Sequence, residues 1–187
     1  VFTYDGSDLG AGEVFQYSTN NSTWTTIASG SVNTTANTVS ISGLDVSGSP
    51  TVYLRALDAA GNTTTLTSQA ITYDGTAPNV GSASFTSVTE GALDTTPDAV
   101  TNQATATVVF TYDGSDLGAG EVFQYSTNNS TWTTIASGSV NTTANTISIS
   151  GLDVSGSPTV YLRALDAAGN TTTLTSQAIT YDGTAPN

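Results

Sequence analysis

The stretch Thr105-Ala-Thr-Val-Val-Phe-Thr-Tyr112 decides the fold class, because its side chains change character at every second position. One face carries the residues that we predict to lie in the core, namely Ala106, Val108, Phe110 and Tyr112. Threonines occupy most of the opposite face. A period of two residues is that of a β-strand with one buried side. The stretch is therefore predicted to be a strand at the centre of an all-β domain.

Short segments of similar character surround this strand, and turn signals separate them. Strands are predicted at residues 80–88, 105–112, 122–127, 131–136, 146–150, 159–165 and 172–181. In the segment 159–165 the predicted core face carries Val160, Leu162 and Ala164. The turn signals are Asn128-Asn129, Gly151, Ser157-Pro158 and Gly169-Asn170. About seven short strands in a domain of roughly one hundred residues are typical of an immunoglobulin-like (Ig-like) β-sandwich.

The chain is a tandem repeat. Residues 1–79 recur as residues 109–187, and the only difference between the two copies is Val39 against Ile147. With the strands labelled A to G, the first copy begins at strand B. We therefore predict tandem Ig-like sandwiches joined by short acidic linkers: residues 1–75 are a repeat without its first strand, and residues 76–187 are a complete repeat with the start of the next linker. The chain also begins without Met, and we expect it to be an excerpt of a longer protein.

Composition excludes several kinds of function. The 187 residues include 15 Asp and Glu but only two basic residues, Arg55 and Arg163, and the net charge is −13. Without Cys and His there is no thiolate nucleophile, no structural zinc site and no Ser-His-Asp triad. Two arginines do not neutralise phosphates, so no nucleic-acid binding is expected. No apolar stretch approaches the ~18 residues of a membrane span, so no membrane insertion is expected.

Three segments carry a resemblance to a known family. They are Asp113-Gly-Ser-Asp-Leu-Gly-Ala-Gly-Glu121, Tyr161-Leu-Arg-Ala-Leu-Asp-Ala-Ala-Gly-Asn170 and Tyr73-Asp-Gly-Thr-Ala-Pro78. They resemble bacterial Ig-like repeats and, more narrowly, the extender repeats of calcium-dependent RTX adhesins of Gram-negative bacteria. The resemblance implies an extracellular location at the bacterial cell surface and a role in cell adhesion and biofilms. It also implies that identical repeats are neighbours in one chain, that Ca²⁺ stiffens their junctions, and that other domains of the adhesin bind the ligand.

The acidic residues support a calcium site independently of this resemblance. In an Ig-type sandwich the BC and FG loops lie at the pole where the chain enters the domain. The BC loop carries Asp113, Asp116 and Glu121, the FG loop carries Asp166 and Asn170, and the incoming linker carries Asp74. Calcium takes six to eight oxygen ligands from flexible loops. The corresponding ligands in the first copy are Asp5, Asp8, Glu13, Asp58 and Asn62, and Asp182 takes the place of Asp74 in the outgoing linker.

A second acidic group is expected at the opposite pole, where the chain leaves the domain. Its members are Glu90, Asp94, Asp98, Asp153 and Asp182, with Asp45 and Asp74 as the counterpart beside the central junction. At both poles the alternative is a set of solvated turns, because Asp and Asn are ordinary turn residues. Asn170 could equally be a turn residue that follows Gly169.

The sequence leaves more than one function open. The first hypothesis is a calcium-stiffened spacer that projects the terminal domains of an adhesin, since interchangeable copies suit a spacer better than an enzyme. The alternative is a multivalent binding module that recognises carbohydrate or another surface through Trp24, Trp132 and the threonine-rich faces. We expect these tryptophans to be partly buried, and Arg55 and Arg163 to point outward and either stack on a neighbouring side chain or pair with an acidic one. Hydrolysis by paired carboxylates is the least favoured possibility, since no cleft is evident.

Overall fold

The computed structural model describes residues 1–5, 9–10, 12–89, 98–114 and 117–185. Its contacts divide the chain into two compact units, unit 1 (Val1–Gly75) and unit 2 (Thr76–Asn187). The strands of unit 1 are β1 (Phe2–Thr3), β2 (Val14–Ser18), β3 (Thr25–Thr26), β4 (Val32–Asn33), β5 (Thr38–Val39), β6 (Thr51–Leu57) and β7 (Thr63–Ala70). Those of unit 2 are β8 (Ala83–Val88), β9 (Val100–Thr101), β10 (Thr105–Tyr112), β11 (Val122–Ser126), β12 (Thr133–Thr134), β13 (Val140–Asn141), β14 (Thr146–Asp153), β15 (Thr159–Leu165), β16 (Thr171–Ala178) and β17 (Thr180–Tyr181).

Unit 2 is a sandwich of two antiparallel sheets. One sheet has the order β13-β14-β10-β8, and the other has the order β12-β11-β15-β16. Strands A, B, C, E and F of the sequence analysis are β8, β10, β11, β14 and β15, and strand G comprises β16 and β17. The predicted all-β fold with Ig-like sandwich domains is confirmed. No helix of the described residues has the length and apolar character needed to cross a membrane.

The core of unit 2 follows the alternation that the sequence shows. The inward side chains of β10 (Ala106, Val108, Phe110 and Tyr112) are at most 4% exposed, and Val160, Leu162 and Ala164 of β15 are fully buried. Tyr112 and Phe123 join the two sheets, with their ring centroids 5.2 Å apart. Because inward residues come from both sheets, one continuous apolar cluster fills the sandwich.

The last strand of unit 2 is interrupted at Ile179, so the single strand predicted at 172–181 divides into β16 and β17. Ile179 is buried, and its N–H donates to Pro158 O at 2.9 Å. Beyond this residue β17 leaves its sheet and runs parallel to β9. Two backbone bonds hold the pair, from Thr180 N to Ala99 O at 2.8 Å and from Asp182 N to Thr101 O at 2.9 Å.

Unit 1 has one sheet like that of unit 2 and one that is much smaller. The sheet β3-β2-β6-β7 repeats β12-β11-β15-β16 strand for strand, whereas the other is a short sheet of order β1-β5-β4. Val1 corresponds to Val109, so unit 1 contains no counterpart of β8, β9 or the first half of β10. Its main cluster of buried apolar residues is small, consisting of Phe15, Ile27, Val39 and Leu54, and Val52 is also buried.

Candidate cation-binding loops

The linker, the BC loop and the FG loop meet at the entry pole of unit 2. Asn170 Nδ2 donates to Thr76 O at 3.3 Å, and Thr172 Oγ1 donates to Pro78 O at 2.6 Å. On the other side of the linker, Asp113 N donates to Ser82 O at 3.0 Å, and Ser82 N donates to Asp113 Oδ2 at 3.3 Å. The linker is thus held between the two loops that the sequence predicts to face it.

The FG loop is a turn closed by its own polar side chains. Asp166 Oδ1 accepts the Asn170 N–H at 2.7 Å, and Asp166 Oδ2 accepts Asn170 Nδ2 at 2.8 Å. The positive φ of this turn belongs to Gly169, at 98°. Hydrogen bonds to the charged form, above all the side-chain bond from Asn170, lower the pKa of Asp166. The carboxylate is therefore ionised at neutral pH, and Asp58 with Asn62 forms the same turn in unit 1.

The BC loop contains a similar closure at its end. Glu121 Oε2 accepts the Gly118 N–H at 2.7 Å, and the Glu121 N–H donates to Gly118 O at 3.1 Å. In unit 1 the corresponding bonds join Glu13 and Gly10, at 2.6 and 3.2 Å. The Glu carboxylate in each unit therefore accepts a hydrogen bond from the backbone of its own loop.

Asp113 sits so close to the linker that only glycine fits beside it. A Cβ atom at Gly81 would collide with Asp113 Oδ2. The next residue, Gly114, has φ of 82°, and a Cβ there would lie 2.5 Å from Asn145 Nδ2. These close approaches fix the position of the Asp113 carboxylate relative to the linker. Asp5, its counterpart, is an exposed residue that follows β1 in unit 1.

The donor chemistry of these loops fits Ca²⁺, since every side chain offered is a carboxylate or an amide oxygen. Among the described residues, however, no three acidic side chains are close enough together to share a metal ion. Asp113, Glu121 and Asp166 each accept hydrogen bonds within unit 2. The predicted ligands Asp116 and Asp8 lie outside the described residues, and Asp74 is an exposed residue of unit 1. The calcium site stays a prediction, and a full shell needs oxygens beyond the described carboxylates.

At the exit pole the acidic residues close turns. Asp153 Oδ1 accepts the backbone N–H of Ser155 at 3.0 Å and its hydroxyl at 2.7 Å, and these bonds lower the pKa of Asp153. Asp98 Oδ1 accepts the Val100 N–H at 2.8 Å, and Asp182 Oδ1 accepts the Thr184 N–H at 2.9 Å. Asp45 repeats the Asp153 turn in unit 1. Two further predicted members, Glu90 and Asp94, lie outside the described residues.

Each arginine covers one face of the tryptophan of its unit. The Arg163 guanidinium carbon lies 4.0 Å from the centroid of the Trp132 ring, and Arg55 lies at the same distance from Trp24. Both tryptophans are partly buried, as predicted. A sugar stacking on the covered face would have to displace the guanidinium.

A glutamine on the neighbouring strand holds the arginine, and the sequence analysis missed it. Arg163 Nε and Nη2 donate to Gln124 Oε1 at 2.9 and 2.8 Å, and Gln16 does the same for Arg55. Gln124 and Arg163 are directly opposite each other in the pairing of β11 with β15. Only the strand register brings them together, and no local motif indicates it.

Comparison with known families gives one finding. A family model described as a bacterial Ig-like domain matches residues 15–75 and, a second time, residues 78–183. The second match spans β8 to β17, and the first begins within β2. No curated protein matches the chain.

Proposed function

The chain belongs to the bacterial Ig-like domain family, and from that premise we propose that it is a spacer of a bacterial surface adhesin. In this proposal it is part of a tandem array of the RTX extender type, which carries ligand-binding domains away from the cell. Bacterial Ig-like domains are usually extracellular or surface-exposed, and Ig-like sandwiches are typically non-enzymatic. The partners of each repeat are then its neighbours in the same chain.

One observation above all supports the spacer: two copies of 79 residues differ at a single position. A spacer depends on the number of its units, so every unit can have the same sequence. The two side-chain hydrogen bonds that hold the linker, which we call the linker clasp, also support the spacer. Asn170 and Thr172 bind backbone carbonyls of the linker, so they restrain the chain where it enters unit 2.

We further propose that Ca²⁺ stiffens the junctions between repeats. The residues that would hold it are Asp74, Asp113, Asp116, Glu121, Asp166 and Asn170, with Asp5, Asp8, Glu13, Asp58 and Asn62 as the set of the preceding repeat and Asp182 in the next linker. When bound, the ion would neutralise carboxylates that otherwise repel one another in a chain of charge −13. Extracellular calcium modules bind at about 10⁻⁴ to 10⁻³ M.

Small-angle X-ray scattering on two complete repeats tests the proposal, with Ca²⁺ raised from about 0.1 to 10 mM and then removed with EDTA. We expect the maximum dimension to grow and the distribution of distances to narrow with calcium. The double substitution Asp113→Asn and Asp166→Asn should abolish the response. The matched control, Asp153→Asn at the exit pole, should leave it unchanged if the entry pole holds the ion.

A scattering curve that ignores calcium would remove the stiffening mechanism. The tandem spacer would then rest on the near-identity of the two copies and on the hydrogen bonds from Asn170 and Thr172 to the linker. The alternative binding function is tested separately, with a glycan array probed by the same two repeats. Binding to defined sugars that Trp132→Ala abolishes would favour the binding module.

A further inference from the structure

We propose that Asn129 in unit 2 and Asn21 in unit 1 are acceptor sites for an N-linked sugar. The proposal goes beyond the spacer role, because it assigns a covalent modification to each unit, and its test does not depend on that role. It rests on a short sequence motif that occurs four times in each unit and on a difference in hydrogen bonding that distinguishes one of the four from the others.

The motif is the tripeptide Asn-x-Ser/Thr, with any residue except proline at x, in which the amide nitrogen of the Asn accepts the sugar. It begins at four residues of unit 1 and at their four counterparts in unit 2, namely Asn20, Asn21, Asn33, Asn62, Asn128, Asn129, Asn141 and Asn170. A chain rich in Asn and Thr contains this tripeptide by chance, so the sequence alone does not tell the eight apart. The structure does, because transfer to a folded chain requires an exposed amide that a transferase can bind.

Three of the four Asn side chains in unit 2 already close turns. Asn128 Oδ1 accepts two backbone N–H groups of its own turn, at 2.9 and 2.8 Å, and Asn141 Oδ1 accepts two of its own, at 3.0 and 2.9 Å. The amide nitrogen of Asn170 donates to Asp166 Oδ2 at 2.8 Å and to Thr76 O at 3.3 Å. Their counterparts in unit 1 close the same turns. A transferase that binds one of these side chains has to break the turn first.

The fourth Asn of unit 2 is differently placed. Asn129 lies in the hairpin between β11 and β12, with φ of 55°, and it is exposed together with Thr131, whose hydroxyl completes its motif. Within the part of the chain that the structure describes, neither the Asn129 side chain nor the Thr131 hydroxyl makes a hydrogen bond. Asn21 and Thr23 repeat this arrangement in unit 1. The amide nitrogen can therefore be bound by a transferase without loss of a side-chain hydrogen bond.

The step is a substitution at the anomeric carbon of a sugar diphosphate. Asn129 Nδ2 forms a bond to this carbon, the bond from the carbon to the diphosphate oxygen breaks, and the diphosphate leaves with the electron pair. Nδ2 loses one proton to a base of the transferase, and nothing is oxidised or reduced. The chain supplies the amide and the Thr131 hydroxyl that the transferase binds. The diphosphate is carried by a nucleoside or by a lipid, and the two arms of the test distinguish these donors.

The sugar would lie beside a sheet edge that the sequence does not protect. Strand β12 is the outer strand of its sheet among the described residues, and residues 127–134 contain no charged residue and no proline. Natural proteins protect such edges with charged residues or proline, because an exposed edge pairs with another chain. A bulky hydrophilic sugar on this hairpin would protect the edge against pairing with an identical unit.

The direct test is to incubate the folded full chain with UDP-glucose and a soluble N-glycosyltransferase and, in a second arm, with a lipid-linked oligosaccharide and a membrane oligosaccharyltransferase. Mass spectrometry of proteolytic peptides then locates the sugar.

In at least one arm we expect transfer to Asn129 and Asn21 to be at least about tenfold faster than to the other six motifs, because those six lose hydrogen bonds first. Absence of transfer to the folded chain in both arms would overturn the proposal. Equal rates at all motifs would overturn it as well.

Substitutions at two neighbouring exposed residues separate Asn129 from Asn128, whose motifs overlap. Thr131→Ala removes the hydroxyl of the Asn129 motif and leaves the Asn128 motif intact, and we expect it to abolish transfer to the hairpin. The matched control, Ser130→Ala, destroys the Asn128 motif alone and should leave transfer unchanged. Thr131→Ser keeps a hydroxyl and should retain transfer. Loss of transfer with Ser130→Ala but not with Thr131→Ala would identify Asn128 as the acceptor and contradict the proposal.

Discussion

The two units of this protein share a sequence and differ in structure, and the difference lies in one sheet. Strands β2, β6 and β7 have the same lengths as β11, β15 and β16. In the other sheet, β5 covers only Thr38–Val39, whereas its counterpart β14 runs from Thr146 to Asp153. The residues that could extend β5 are the same as those of β14, apart from Val39 against Ile147. Whether they form a strand therefore depends on the partner strand and not on local propensity.

The test of this comparison with the largest expected change in stability is a matched pair of core substitutions, Phe110→Ala and Phe2→Ala. Phe110 is fully buried and packs edge-on against Phe85 at 6.1 Å, whereas Phe2 is half-buried. We expect Phe110→Ala to lower the free energy of unfolding of unit 2 by about 3–5 kcal/mol. Phe2→Ala should cost unit 1 less than half as much. Urea unfolding measures both, with Trp132 or Trp24 as the single fluorescent reporter after the other is changed to Phe.

The same experiment on the extended chain, with residues 76–108 in front of Val1, is the control. If the missing segment causes the difference, Phe2→Ala should then cost as much as Phe110→Ala. A difference that persists after extension would show that the two units differ for another reason.

Removal of the arginine that stacks on the tryptophan should lower the free energy of unfolding by a smaller amount, and by the same amount in both units. The substitutions Arg163→Ala and Arg55→Ala each remove a cation–π contact at 4.0 Å and two bonds to a glutamine. Since the glutamine lies in the sheet that the units share and the tryptophan directly precedes a strand of that sheet, we expect each to cost about 1–2 kcal/mol. Urea unfolding with the tryptophan reporters measures this cost, and a twofold difference between the units would contradict the common-sheet interpretation.

The threonine hydroxyl that binds the linker should contribute to stability in unit 2 only. Thr172→Val removes the donor to Pro78 O, and we expect it to cost unit 2 about 1 kcal/mol. Thr64→Val should have no measurable effect on the unextended chain, because its linker partner belongs to the segment that unit 1 does not contain. Thermal unfolding of the two variants beside the parent chain checks the contrast.

The smallest expected effect is a loss of stability at low pH, which both units should show. Hydrogen bonds lower the folded-state pKa of Asp166 and Asp58. Unfolded Asp titrates near ~3.9, so the unfolded chain binds more protons just below that pH. The stabilisation is complete above this pH and is lost as the pH falls through the folded-state pKa.

Melting temperatures between about pH 2 and pH 6 measure this loss, which should be small because both Asp residues are only partly buried. Asp166→Asn should flatten the curve of unit 2, and Asp58→Asn should flatten that of unit 1 to the same degree. A pH response in one unit alone would contradict the view that each turn is closed by its own asparagine.

The sequence predicts those parts of the fold that alternation and turns determine locally. The strands predicted at 105–112 and 159–165 have the bounds of β10 and β15, because each alternates along its whole length. Strand β14 continues to Asp153, beyond its predicted end at residue 150, since pairing with β10 extends it. For the candidate site, strand order brings the BC and FG loops to one pole. It does not indicate that Glu121 and Asp166 bind their own loops, because such bonds depend on turn geometry.

The parallel pairing of β9 with β17 has a mechanical consequence. Tension along the chain loads β8, which pairs with β10, before it reaches β9 from its N-terminal side, and it pulls β17 from its C-terminal side. Since the strands are parallel, the two pulls act in opposite directions along the strand axes, and the bonds at Thr180 and Asp182 are loaded together in shear. Sheared bonds must break at once, whereas the bonds of a peeled hairpin break one after another. Once β8 has detached, two strands of two residues each therefore resist further stretching of unit 2 in shear.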